Sequence, residues 1–167
     1  SEIKKILNSG KINYWNGEIT KTFESDFGKY IGKKYAVATN SGTTALELAL
    51  RSLNINKNDE VITTPRSYIS SATSISMQNA IPVFCDIEFE SQNIDYLKIH
   101  KLITNKTKAI LCVHLNGMPC NMEKIIEIKK KYNLLIIEDC SQAHGASINQ
   151  KNVGSFGDVS TWSFCND

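Results

Sequence analysis

Leu134-Leu135-Ile136-Ile137-Glu138-Asp139 runs four large apolar residues without interruption into two carboxylates. A strand with one wet face alternates apolar and polar residues, so a continuous run reads as a strand covered on both faces. Such strands belong to parallel sheets flanked by helices. Outward from this stretch, strand patterns at Glu60 to Thr63, Ile81 to Phe84 and Ala109 to Val113 alternate with helical patterns near Ser67 to Gln78, Asp95 to Ile103 and Asn121 to Tyr132. A last strand is expected over Val159 to Phe164. A first is expected over Tyr35 to Thr39, passing through Asn40-Ser41-Gly42-Thr43-Thr44 into a helix that reaches about Leu53. The alternation predicts an α/β fold: a mostly parallel sheet with helices on both faces.

Ahead of that unit, Phe23, Phe27, Tyr30 and Ile31 recur at helical spacing before Gly32. Residues 1–33 are read as an N-terminal helical segment and 34–167 as the main domain, a length that supports one ordinary core. With 41% hydrophobic and 22% charged residues and a net charge of +2, the composition is that of a globular chain, not a disordered or membrane segment. No large basic surface calls for nucleic acid. The one basic run, Lys129-Lys130-Lys131, falls where a helix ends, and cations favour that end. No apolar run is long enough to span a bilayer, and the start lacks a signal-peptide pattern, so a cytoplasmic protein is expected. Five widely spaced cysteines, Cys85, Cys112, Cys120, Cys140 and Cys165, read as reduced thiols. Cys112, His114 and Cys120 lack a CxxC pair, and no metal is expected.

In parallel sheets ligands bind beyond the carboxyl ends of the strands, so residues just past each strand are the chemical candidates. Gly42, Thr43 and Thr44 stand at a strand-to-helix junction, where free amides and the helix dipole favour an anion; an ordinary N-cap is the alternative. Neither a Walker loop nor a dinucleotide GxGxxG is present. Asp139 should emerge at the sheet mouth, where a carboxylate is costly unless something positive, such as a protonated ring nitrogen, meets it; a turn cap would be the plainer role. Tyr68 could stack on a flat ring or simply pack. Gln142 and His144 read equally as polar loop residues, and His114 and Asn116 end another strand with no role assigned. Ser163 rides on the last strand.

Together these segments resemble the DegT/DnrJ/EryC/StrS family of pyridoxal-phosphate (PLP) sugar aminotransferases over essentially the whole chain. The resemblance is carried by Asn40-Ser41-Gly42-Thr43-Thr44-Ala45-Leu46, Asp59 to Pro65, Pro82 to Ile87, His114-Leu115-Asn116-Gly117-Met118-Pro119-Cys120, Ile137 to Ala146 and Val153 to Asp158. It implies the large-domain part of the aspartate aminotransferase (fold type I) fold. Gly42, Thr43, Thr44 and Ser163 would then hold the cofactor phosphate, Tyr68 would stack on the ring, Asp139 would pair with the ring nitrogen and Gln142 would approach the phenolic oxygen. Pro65-Arg66-Ser67-Tyr68-Ile69 departs from the family's usual Pro-x-x-Thr-Phe and is similar to a subgroup acting on nucleotide-linked keto sugars.

By the same resemblance the Schiff-base lysine follows the Ser163-Phe164 pair by a few residues, which is beyond Asp167, and no lysine within the chain occupies its place. The chain is therefore expected to be the N-terminal portion of a protein about twice as long and inactive alone. The implied substrates are a nucleotide sugar and an amino donor such as glutamate, in surface polysaccharide or glycan biosynthesis, and the implied assembly is a homodimer. A sugar dehydratase of the same family, with histidine for the lysine, and an inactive truncated binding or dimerisation module are the competing readings.

Overall fold

The apolar runs pair into a five-stranded parallel sheet in the computed structural model, which describes residues 1–165. Its strands are β1 (Glu60–Thr63), β2 (Ile81–Phe84), β3 (Thr107–Val113), β4 (Leu135–Asp139) and, after a small antiparallel hairpin of β5 (Ser147–Ile148) and β6 (Lys151–Asn152), β7 (Val159–Thr161). In space the order is β2-β1-β3-β4-β7. The chain moves from β1 outward to β2, then returns to the other side of β1 with β3. That reversal is the place where parallel sheets open a crevice.

Side chains alternate across each strand, and the two sets meet different helices. Ala109, Leu111 and Val113 of β3 and Ile137 of β4 pack with Leu46 and Leu50 of α3 (Gly42–Ser52) and Ile75 of α4 (Ser70–Met77). Ile110 and Cys112 of β3 and Ile136 of β4 face the other way, onto Ile99 of α5 (Tyr96–Ile99) and Met122 and Ile125 of α6 (Met122–Tyr132). Both faces of the sheet are thus covered, as the unbroken apolar run of β4 requires. Each fully buried Leu or Ile contributes about 1.5–3 kcal/mol.

Local chemistry sets the helix ends. Asn121 caps α6 by accepting from the Lys124 amide at 3.3 Å, and Asn133 closes it in the left-handed region, with Lys129, Lys130 and Lys131 in the last turn. Asp95 caps α5, which ends at Ile99, short of the expected Ile103, as the chain turns through Thr104 towards β3. The helix expected from Ser67 starts only at Ser70, because Thr64 Oγ1 accepts the Arg66 amide and holds the preceding residues in a turn.

The chain divides into two units, Ser1–Ala38 and Thr39–Asp167. In the first, α1 (Glu2–Ser9) and α2 (Ile19–Ile31) precede Gly32, which ends α2 at φ 77°, and Phe23 stacks on Phe27 at 5.5 Å. This unit runs past the boundary expected at residue 33. The strand expected over Tyr35 to Thr39 is not formed among the described residues: the Ala38 amide donates to Glu24 Oε1 at 2.7 Å, and Tyr35 and Val37 are exposed. A strand exists only where a neighbour takes its backbone groups.

Candidate functional site

Site residues gather where β3, β4 and β7 end. Ser41 caps α3 with its hydroxyl, accepting from the Thr44 amide at 3.1 Å, and Thr44 Oγ1 lies 3.0 Å from the same oxygen. The first amides of a helix have no intrahelical acceptor, so those of Gly42 and Thr43 are open to an anion. Glycine at position 42 matters for space. A Cβ there would sit 3.0 Å from Ser163 Cβ and 3.3 Å from its Oγ, with Ser141 Oγ 3.7 Å away. Gly42, Ser141 and Ser163 therefore share one small hollow, with Thr43 and Thr44 half-buried on the first turn of α3 beside it.

Asp139, the last residue of β4, is 5% exposed, and among the described residues its side chain meets only neutral donors. Oδ1 accepts from the Ser141 amide at 3.1 Å and the Ser141 hydroxyl at 2.6 Å, and Oδ2 from the Ser71 hydroxyl at 3.3 Å. Ser71 is 2.7 Å from Ser67. Ser67 in turn lines a cleft of about 280 Å³ with Arg66, Tyr68, Leu115, Asn116 and Gln142. Tyr68 is exposed along this cleft. Asn116, in the left-handed region at φ 52°, donates its amide to Gln142 Oε1 at 2.9 Å, which leaves the Gln142 amino group to donate elsewhere. Hydrogen bonds thus link Ser141, Asp139, Ser71 and Ser67, with Gly42 and Ser163 beside Ser141 at one end and the cleft of Tyr68 and Gln142 at the other.

Glu138 points to the opposite face and organises the scaffold beneath. It is fully buried and takes the amides of Phe156 and Gly157 on Oε1, at 2.8 and 2.6 Å, and the Gly154 amide at 2.8 Å and His114 Nε2 at 3.1 Å on Oε2. Burial pushes its carboxyl pKa up, but the His114 hydrogen bond and the Gly157 and Gly154 amides outweigh burial and hold it below the usual value. Burial also opposes a second proton on His114, whereas Cys120, Cys140 and Glu138 favour one; the Cys120 amide decides, because it points at Nδ1 from 3.0 Å and fixes that atom as an acceptor. The ring proton therefore sits on Nε2, facing Glu138. His114, Glu138 and Cys140 bring ligand-type atoms within 4.8 Å of one another, but both Glu138 oxygens and both ring nitrogens are already engaged, so the trio reads as a hydrogen-bond hub. His144 packs its ring against Trp162 and Phe164.

Sequence reasoning left His114 without a role and missed Glu138, Ser141 and Ser71. Period-two alternation along β4 could have found Glu138, since a residue next to Asp139 on a strand must face the other side. The two serines carry no such signal.

Comparison with known proteins identifies the family and the fold. The model of the DegT/DnrJ/EryC1/StrS aminotransferase family matches residues 1–167. GDP-perosamine synthase of Escherichia coli O157:H7 is 45% identical over 96% of this chain and 45% of its own length. The dTDP-3-amino-3,6-dideoxy-alpha-D-galactopyranose transaminase of Aneurinibacillus thermoaerophilus is 45% identical over 98% of this chain and 46% of its own. Among solved structures, the aminotransferase from Psychrobacter cryohalolentis superimposes with a TM-score of 0.96 at 45% identity, covering 99% of this chain and 42% of that one. NtdA from Bacillus subtilis, solved with bound cofactor PMP, gives 0.90 at 34% identity over 97% of this chain and 36% of that one. The chain spans less than half the length of the curated relatives it matches. With the fold of the PLP aminotransferases and a family match along its whole length, the chain belongs to the DegT/DnrJ/EryC1/StrS aminotransferase family.

Proposed function

We propose that this chain is the N-terminal part of a PLP-dependent aminotransferase that moves an amino group from an amino acid such as glutamate to a nucleotide-linked keto-deoxysugar, in surface polysaccharide or glycan biosynthesis. The observation that carries the reading is Asp139: a nearly buried carboxylate whose partners among the described residues are all neutral, at the mouth of the sheet and one serine from an open helix N-terminus. Such a carboxylate is costly until a cation meets it. The surroundings fit PLP. An anion belongs at the amides of Gly42 and Thr43, with the hydroxyls of Thr43, Thr44 and Ser163 as further donors. A protonated ring nitrogen belongs at Asp139, a flat ring under Tyr68, and a phenolic oxygen near the Gln142 amino group.

When bound, PLP supplies a ring that accepts the electron pair released as a bond to the amino-bearing carbon breaks. Asp139 holds the proton on the ring nitrogen, and Ser141 and Ser71 fix the carboxylate that does so. Tyr68 and Gln142 orient the ring. The lysine that would act as nucleophile and proton shuttle belongs to the segment after Asp167, so these residues alone would not complete a turnover. A homodimer acting in the cytoplasm completes the proposal, supported by the family rather than by any contact seen in this chain.

The test is an amino-transfer assay of the complete protein with glutamate and nucleotide-linked 4-keto-6-deoxysugars, alongside Asp139→Ala. Transfer by the wild type and its loss in the variant support the reading; a variant that keeps a near-wild-type rate removes Asp139 from its role.

A further inference from the structure

Thr161 is the last residue of β7 and pairs in register with Asp139 across the parallel β4–β7 ladder. Register partners in parallel strands project from the same face, about 4.8 Å apart. Two residues earlier, Ile137 and Val159 lie in the core beneath α3, so Asp139 and Thr161 both face that helix. Val113 is the register partner of Asp139 on its other flank. The mouth of the sheet therefore presents a row of an apolar residue, a carboxylate and a hydroxyl.

That hydroxyl is out of place as a structural group. Thr161 is 3% exposed, yet its Oγ1 has no hydrogen-bond partner among the described residues. Buried hydroxyls in native proteins nearly always have one, and valine would fill the same space without the cost. Asp139 does not supply the partner: the hydrogen bonds to its oxygens come from Ser141 and Ser71, and none comes from Thr161. A polar atom left unsatisfied beside a buried carboxylate, at the end of the sheet where ligands bind, is available to a ligand.

We infer that Thr161 is a further binding residue of this site, its hydroxyl bonding the polar rim of the ring-nitrogen cofactor that Asp139 receives. The inference rests on the proposed PLP reading and extends it to a residue outside the phosphate hollow and the ring-facing cleft.

The experiment measures the affinity of the complete protein for pyridoxamine 5′-phosphate by calorimetry, and the melting temperature of the same protein freed of cofactor. Thr161→Val is expected to bind about five- to tenfold more weakly, the loss of one hydrogen bond. Without cofactor it is expected to melt at the wild-type temperature or above, because an unpartnered hydroxyl has been removed. Thr161→Ser, which keeps the hydroxyl, is expected to bind within about twofold of wild type. Should the valine variant not fold, Thr161→Ala is measured in its place with the same expected loss of affinity. Wild-type affinity in the variant lacking the hydroxyl overturns the inference, as does a serine variant weakened as much as the valine one. In both cases the PLP reading stands if the wild type binds and Asp139→Ala does not. A wild type with no affinity for pyridoxamine 5′-phosphate sinks the PLP reading and the inference with it.

Discussion

Glu138 and Asp139 are adjacent carboxylates with opposite duties, and strand geometry separates them. Asp139 faces α3 and the ligand end, while Glu138 faces the turn that leads into β7 and spends both oxygens on it. Glu138→Gln puts an amino group where amides already point, so a loss of about 3 kcal/mol in unfolding free energy is expected in urea titrations. The acid dependence follows from the lowered carboxyl pKa. Stabilisation by Glu138 is fully present above the unfolded value of about 4.3 and is lost as pH falls through the folded value, so the variant should show a shallower decline in stability below pH 4.3. Ser141→Ala removes the 2.6 Å bond to Asp139 and is expected to weaken pyridoxamine 5′-phosphate binding about tenfold, read by the same calorimetry. Asp139 was legible from its place after an apolar run. Its serine partners were not, because a hydroxyl 68 residues away in the chain, that of Ser71, becomes a neighbour only when α4 folds over the sheet.

Elements bounded by local chemistry were readable, and those bounded by distant partners were not. β1 and β2 coincide with the expected runs, and α3 and α6 begin at the capping residues Ser41 and Asn121, because propensity, apolar pattern and capping act within a few residues. Tyr35 to Thr39 has the composition of a strand but pairs with no neighbour among the described residues, and the strand expected to reach Phe164 stops at Thr161. The hairpin of β5 and β6, turning through Asn149 and Gln150 at φ 50° and 64°, was missed because only the first of these is a favoured turn residue. Two glycines test the element scale. Gly157→Ala would place a Cβ 2.9 Å from both the Ile136 carbonyl oxygen and its Cγ2, so a loss of about 1–3 kcal/mol in thermal or urea unfolding is expected. Gly42→Ala crowds Ser163 at the start of α3, where alanine suits a helix; it should cost little stability but weaken binding of pyridoxamine 5′-phosphate, whose phosphate would need that space.

At the scale of the molecule, a parallel sheet with both faces covered leaves its carboxyl edge as the place where chemistry-bearing side chains can meet a ligand. Gly42 from α3, Ser71 from α4, Asp139 from β4 and Ser163 after β7 come from four segments, and the order β2-β1-β3-β4-β7 brings them to that one edge. The family match reaches along the whole chain, while the relatives are more than twice as long. The central claim is that these strand ends enclose a single molecule with a phosphate at one end and a ring nitrogen at the other. A crystal structure of the complete protein with pyridoxamine 5′-phosphate tests it most directly. The account predicts the ring nitrogen within hydrogen-bonding distance of Asp139 and the phosphate against the Gly42 and Thr43 amides and Ser163; a ligand seated elsewhere, or one whose ring nitrogen meets no carboxylate, would contradict it.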